Sequence, residues 1–397
     1  MGTLTEYIRD YGDVSFTERP LCDADVFLLN YVSYVPLEEA VKSSIEPSPS
    51  KTLCLVAEQI FAQRERKFVP EGLILNKNFS KRLVEAAATV RFGPILITGC
   101  KSVFDPENNV QFAGITMLTD DNKAVIVFRG TDDTFVGWKE DMDILLKGTI
   151  PSYSLSVEYL NSVADVFPER ELVVGGHSKG GNVALYAGLH CRDDVRSRIV
   201  GLYNLDGPGF SDDSEYDSDE YRQLLPVYRH FVPKDSLVGM LLAHDDDINI
   251  VNSSAPGGAF QHDLASWGII DGEPEILSSL GFTGKIHDIT VKEVSESLTK
   301  EELEALYSVL CTMMDSTRSA GLLPMAKNFP SAVIQAGGGL RHLGTSTHVE
   351  FVKAINKILG AATKNGIKLA AENTRILAEA VSAKLSSLRK AGSADTQ

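Results

Sequence analysis

The chain has 397 residues with 38 basic against 54 acidic side chains, a formal charge of −16 at pH 7. That length suits one large domain plus an appendage, and a 43% hydrophobic content allows a sizeable core. The acidic balance argues against nucleic acid as a partner, and the lack of any long apolar run argues against a membrane span.

The first six residues, Met1 to Glu6, carry no basic region followed by an apolar run, so no signal peptide is expected. Cys22, Cys54, Cys100, Cys191 and Cys311 are odd in number, scattered, and form no CxxC pair or His/Cys cluster. Reduced thiols in a cytoplasmic protein, with no metal and no cofactor, are the expectation.

Residues 1–90 read as a mostly helical lead-in packed on the domain that follows. Asp23 to Asp25 precedes the apolar Val26 to Val35, Lys51 to Phe68 reads as a helix, and Ser80 to Phe92 has helical spacing. Short β-type runs follow at Ile95 to Ile97 and Val110 to Leu118, joined by the turn residues Asp105 to Asn109. Ala124 to Phe128, Leu172 to Val174, Ile199 to Leu205 and Val227 to Val232 are continuous apolar strands, and Ile248 to Val251 also reads as a strand. Strands of this kind are buried on both faces, which predicts a mostly parallel, doubly wound α/β sheet, with Ser152 to Phe167 and Asn182 to His190 as crossover helices.

The α/β region is set at residues 91–290, and a C-terminal helical extension at 291–397. Thr299 and Glu302 form a capping-box signature ahead of a helix from Lys300 to about Asp315. Gly337 to Gly339 marks a flexible join, and a helical pattern from Phe351 to Ala391 is expected to break at Gly360 and Gly366.

The chemistry concentrates in Leu172 to Ala184. Gly176-His177-Ser178-Lys179-Gly180 fits G-x-S-x-G between a buried strand and a helix, the setting in which that motif makes a nucleophile elbow. Ser178 is therefore the expected nucleophile, and the helix starting there favours developing negative charge. His177 reads as a packing neighbour.

A serine hydroxyl needs a base and the base an orienting acid, which follow in that fold in the order acid, then histidine. Asp235, just past the Tyr228 to Pro233 strand, is the expected acid; Asp206, ending the previous strand, is the alternative. His262, in a glycine-containing loop after Ile248 to Val251, is the expected base. His244 sits in an acidic run that reads as a solvated turn, and His287, His342 and His348 lie further on. The oxyanion donors are expected from the backbone of Lys179 and of Thr131, the latter in the glycine-loosened turn after Ala124 to Phe128.

Val127-Phe128-Arg129-Gly130-Thr131, then Trp138 and Asp141, then Gly176 to Gly181 together resemble the class 3 lipases. Gly137 to Asp141, Asn204 to Phe210, Ser236 to Leu241 and Gln261-His262-Asp263 are more similar still to an uncharacterised bacterial, Mbeg-like branch of lipase-like hydrolases. The resemblance covers roughly residues 90 to 270. It implies an α/β-hydrolase fold, a triad of Ser178, Asp235 and His262, and an oxyanion hole at Thr131 and Lys179. Secreted members carry signal peptides and often disulfides, which sets this chain apart from them.

Three further features bear on substrate and partners. The loop from Thr131 to Lys139, with Phe135 and Trp138, reads equally as an apolar flap or as core. Ser211 to Glu220 is acidic without regular ligand spacing and reads as a solvated loop. From Phe351 to Ala391, eight Lys/Arg against two Glu give +6. Such a helix can lie on an anionic membrane, though packing on the acidic domain or pairing into a homo-oligomer is simpler. The expected substrate is a small-molecule or lipid-like carboxylic ester. Thioester hydrolysis, acyl transfer and a catalytically idle scaffold are the alternatives.

Overall fold

A computed structural model describes residues 2–63, 78–132, 134–243, 247–316 and 343–394. Its centre is an eight-stranded sheet: β1 (Leu96–Asp105), β2 (Val110–Leu118), β3 (Lys123–Phe128), β4 (Glu171–His177), β5 (Ile199–Leu205), β6 (Tyr228–Pro233) and β7 (Ile248–Val251) lie side by side in chain order. A short eighth strand, Ile276–Leu277, closes the far edge. From β3 to β7 every pairing is parallel, whereas β1, β2 and the last strand run antiparallel to their neighbours. The strands expected at Val110 to Leu118, Ala124 to Phe128, Ile199 to Leu205, Val227 to Val232 and Ile248 to Val251 recur to within a residue, whereas those expected at Ile95 to Ile97 and Leu172 to Val174 are longer, running on to Asp105 and His177. Apolar runs such as Ala124 to Phe128 are satisfied only by burial on both faces.

That two-sided burial divides the core in period-two fashion. Val125, Val127 and Val173 point to one layer, while Ala124, Ile126, Phe128, Leu172 and Val174 point to the other. The second layer is covered by α6 (Pro151–Val166) and α7 (Lys179–His190). The first is covered by the N-terminal helices α1 (Leu4–Tyr11), α2 (Asp23–Val32), α3 (Leu53–Gln63) and α4 (Phe79–Ala87). The lead-in is thus one face of the core. Every residue of α2 from Ala24 to Val32 is buried, and Phe27 meets Phe231 and Trp267 edge-on at centroid distances of 5.0 and 5.1 Å. Full burial of a side chain such as Phe27 contributes ~1.5–3 kcal/mol.

An ion pair fixes this face. Arg91 and Asp25, both with fully buried side chains, meet at 2.7 Å (Nε to Oδ1) and 2.5 Å (Nη2 to Oδ2). Arg91 also donates to the carbonyls of Val14, Ser15 and Arg19, and its guanidinium lies 4.0 Å above the Phe16 ring.

Several boundaries move. Phe135–Lys147 forms a helix (α5), so the stretch from Thr131 to Lys139, read equally as flap or core, is helical from Phe135 on. Between α7 and β6 lie the short helices α8 (Asp193–Arg196) and α9 (Asp219–Leu224). Helix α10 (Phe282–Ser297) crosses the boundary drawn at residue 291; its start is fixed by a tertiary cap described below. Helix α11 (Lys300–Ser316) begins with the expected capping box, Thr299 N–H donating to Glu302 at 2.8 Å and Glu302 N–H to Thr299 Oγ1 at 3.3 Å. The last helix, α12 (Thr345–Ala394), runs unbroken through Gly360 and Gly366. A lone glycine costs a helix only about 1 kcal/mol, which packing against α10 and α11 offsets. Three of the basic residues on α12 pair with acids of the same chain: Lys353 with Glu350, Lys357 with Glu302 and Lys364 with Glu293, each at 2.7 Å. No helix among the described residues is long and apolar enough to cross a membrane. Residues 64–68 of the expected Lys51 to Phe68 helix, His244, His342 and Gly337 to Gly339 lie outside the described residues.

Candidate active site

Parallel strands end together, and the loops beyond β3 to β7 gather the chemistry at one edge of the sheet. Ser178 stands between β4 and α7 with φ 60° and ψ −134°, a strained conformation for a residue bearing a Cβ. The glycines around it permit the turn. A Cβ on Gly176 would fall 1.9 Å from the carbonyl oxygen of Gly180, and one on Gly180 would fall 2.0 Å from that of Phe128. Strand β4, the turn and the end of β3 therefore pack backbone to backbone, leaving Ser178 partly exposed above them.

Gly130 and Thr131 follow β3. A Cβ on Gly130 would lie 3.1 Å from Ser178 Cβ, so this loop passes directly beside the serine. Thr131 Oγ1 donates to both oxygens of Asp141 on α5, at 2.8 and 2.7 Å. The Lys179 side chain turns into the interior, where Nζ donates to the carbonyl of Gln111 at 2.7 Å, to Gln111 Oε1 at 2.9 Å and to Glu140 Oε2 at 2.6 Å. The Lys179 N–H is a first-turn amide of α7, a position with no intrahelical acceptor.

His262 closes a short 3-10 turn, Gly258–His262. Its Nδ1 lies 2.7 Å from Asp206 Oδ2, both side chains being almost fully buried. A carboxylate can only accept, so Nδ1 carries the hydrogen, and in the neutral ring Nε2 keeps the lone pair that can take a proton. Asp206 follows β5 at φ 50°, and its other oxygen accepts from Ser236 Oγ and, at 3.0 Å, from the N–H of Gly239.

This corrects the expected acid. Asp235 does not face His262: its Oδ1 accepts the N–H of Gly284 at 3.0 Å, capping α10, and its Oδ2 accepts from Gln261 Nε2 at 3.2 Å. Gln261 and His262 are consecutive on a tight turn and point to different strand ends, one reaching β6 and the other β5. A Cβ on Gly207 would fall 2.4 Å from the Ser178 carbonyl, so Asp206-Gly207-Pro208-Gly209 lies against the elbow, and Asn182 donates to the Gly209 carbonyl at 2.8 Å. Sequence reasoning also missed Tyr34, Gln111 and Glu140, which act across long sequence separations that no local pattern reports. His287 donates from Nδ1 to the Ser236 carbonyl at 3.0 Å, and His348 from Nδ1 to the Gly344 carbonyl at 3.1 Å.

Asp141 is held up to about 6 from 3.8, chiefly by burial, with Lys179 and the Thr131 hydroxyl pulling the other way. An acid whose folded value is raised takes stability away as pH climbs from its unfolded value through the folded one. Asp141→Asn, which keeps an acceptor for Thr131, is expected to raise the melting temperature more at pH 8 than at pH 5, flattening the fall in stability across that window. Thermal melts of both proteins at the two pH values check this; an equal gain at both would reject Asp141 as the source. Among the described residues no cluster of His, Cys, Asp and Glu is placed to hold a metal ion.

Fold and site together define an α/β protein whose mostly parallel sheet presents a strained serine and a buried histidine–aspartate pair at the carboxyl ends of its strands. The chain belongs to the Mbeg1-like family, whose model matches residues 86–312, more than half of its length. No curated protein and no solved structure matches it.

Proposed function

We propose that the protein is a serine hydrolase of the α/β-hydrolase type that cleaves a carboxylic ester through Ser178, His262 and Asp206. One observation carries this reading: a serine at φ 60° on a strand-to-helix turn, with a later histidine whose Nδ1 is held 2.7 Å from a buried carboxylate. Nucleophile, acid and base follow β4, β5 and β7 in that order, the order in which α/β hydrolases carry them.

In the proposed reaction His262 Nε2 takes the Ser178 proton as Oγ attacks the ester carbonyl, and Asp206 stabilises the imidazolium that forms. The N–H groups of Thr131 and Lys179 receive the oxyanion. His262 then protonates the departing alcohol, and water, deprotonated by the same base, releases the acid from the acyl-enzyme. The buried bonds of Lys179 to Gln111 and Glu140 fix its backbone; those of Thr131 to Asp141 fix the other donor. Thioesters and other acyl acceptors suit the same groups, and the idle scaffold is the remaining rival. Five free cysteines accord with an intracellular setting.

Wild type is expected to react with a fluorophosphonate probe and to turn over p-nitrophenyl esters, with both properties lost in Ser178→Ala. Removing the nucleophile should lower kcat by about 10⁶-fold. Labelling that persists in the variant would place the nucleophile elsewhere, and a well-folded wild type that neither labels nor turns over would favour the scaffold.

A further inference from the structure

We propose that Tyr34, acting through His177, positions the His262 base, so that the N-terminal segment completes the active site. The inference rests on the hydrolase reading of Ser178 and His262, and concerns residues for which that mechanism has no use. Tyr34 lies outside the family match, two residues beyond α2.

The side chains form one chain of hydrogen bonds. His177 is buried between the Tyr34 hydroxyl, 2.7 Å from its Nδ1, and the carbonyl oxygen of His262, 2.8 Å from its Nε2. A carbonyl oxygen only accepts, so His177 Nε2 carries the hydrogen. Burial and the neighbouring His262 hold the His177 ring well below the usual histidine range, so it is neutral and its Nδ1 offers a lone pair. The Tyr34 O–H donates into that lone pair. The phenol therefore selects the tautomer of His177, and that tautomer grips the backbone of the base.

The same hydroxyl reaches the other half of the site. A Cβ on Gly130 would fall 2.4 Å from Tyr34 Oη and 2.4 Å from the His177 carbonyl. One oxygen atom thus adjoins the loop that carries Thr131, the strand end that carries Ser178 and, through one ring, the loop that carries His262. The rings of His177 and His262 pack at a centroid distance of 4.4 Å, and that of Tyr34 stacks on Phe79 at 4.9 Å, so neither prop is free to swing. Tyr34 and His177 are positioning residues, since neither is asked to touch the substrate.

The test is Tyr34→Phe, which keeps the stacked ring and removes the donor. The expected result is a fall in kcat of about tenfold to a hundredfold, the scale of a slightly misplaced catalytic group, with KM within about twofold of wild type. A variant that melts lower but keeps the wild-type kcat per folded molecule would overturn the proposal. Nitrogen NMR of the imidazole rings supplies a second readout that requires neither turnover nor the variant. Near neutral pH, wild-type His177 is expected as the neutral Nε2–H tautomer, and a cation or an Nδ1–H tautomer would overturn the proposal. Failure of the hydrolase reading looks different: wild type itself would show no labelling and no turnover.

Discussion

Asp206→Asn is expected to lower kcat by about 10³- to 10⁴-fold while the protein stays folded. Asparagine tolerates the positive φ of this position, and its Oδ1 still accepts from Ser236 and Gly239. Its Nδ2, however, is a donor facing His262 Nδ1. The imidazole must answer with a lone pair there, which moves its hydrogen to Nε2 and leaves no base for Ser178. Asp235→Asn provides the contrast. It keeps an acceptor for Gly284 and loses one long bond to Gln261, so kcat should stay within about tenfold, and even Asp235→Ala should cost about 1 kcal/mol of stability, as a lost helix cap does. Steady-state kinetics and melting of the three variants decide the matter; a larger kcat loss in Asp235→Asn than in Asp206→Asn would reverse the assignment.

Arg91→Met is expected to cost about 3–5 kcal/mol, a large part of a typical domain's stability. The substitution leaves Asp25 as an uncompensated charge in a wholly buried position and strips the donors from the Val14, Ser15 and Arg19 carbonyls. Arg91→Lys should recover little, because one ammonium cannot match a fork that meets two carboxylate oxygens and three carbonyls at once. Urea titrations followed by far-UV circular dichroism measure the loss. A change below about 1 kcal/mol, the scale of an exposed pair, would show that the cluster is solvated.

Much of this architecture is legible in the chain. The parallel strands declare themselves because a run such as Ala124 to Phe128 has no polar face, and the elbow because glycines flank Ser178 at the two positions where backbones meet. His262, the proposed base, is identifiable from its order and its loop. The proposed acid is not, since Asp206 and Asp235 both follow strands and differ only in which neighbour a turn of consecutive residues, Gln261 and His262, presents to each. Helix α10 is hidden for a related reason: its start is set by Asp235, almost fifty residues earlier in the chain, rather than by a local cap. The lead-in gives its helices but not its importance, because the bonds from Tyr34 to His177 and from Arg91 to Asp25 depend on a face of the sheet that sequence order cannot display.

That face also sets a timing problem during synthesis. Helix α2 leaves the ribosome long before Phe231 and Trp267, the rings that enclose Phe27. At roughly 5–20 residues per second, a helix with seven apolar residues among its ten waits on the order of ten seconds or more for the surface that will shelter it. The nascent chain therefore exposes this segment throughout that interval, and a chaperone that captures exposed apolar segments would find a target in Ala24 to Val32.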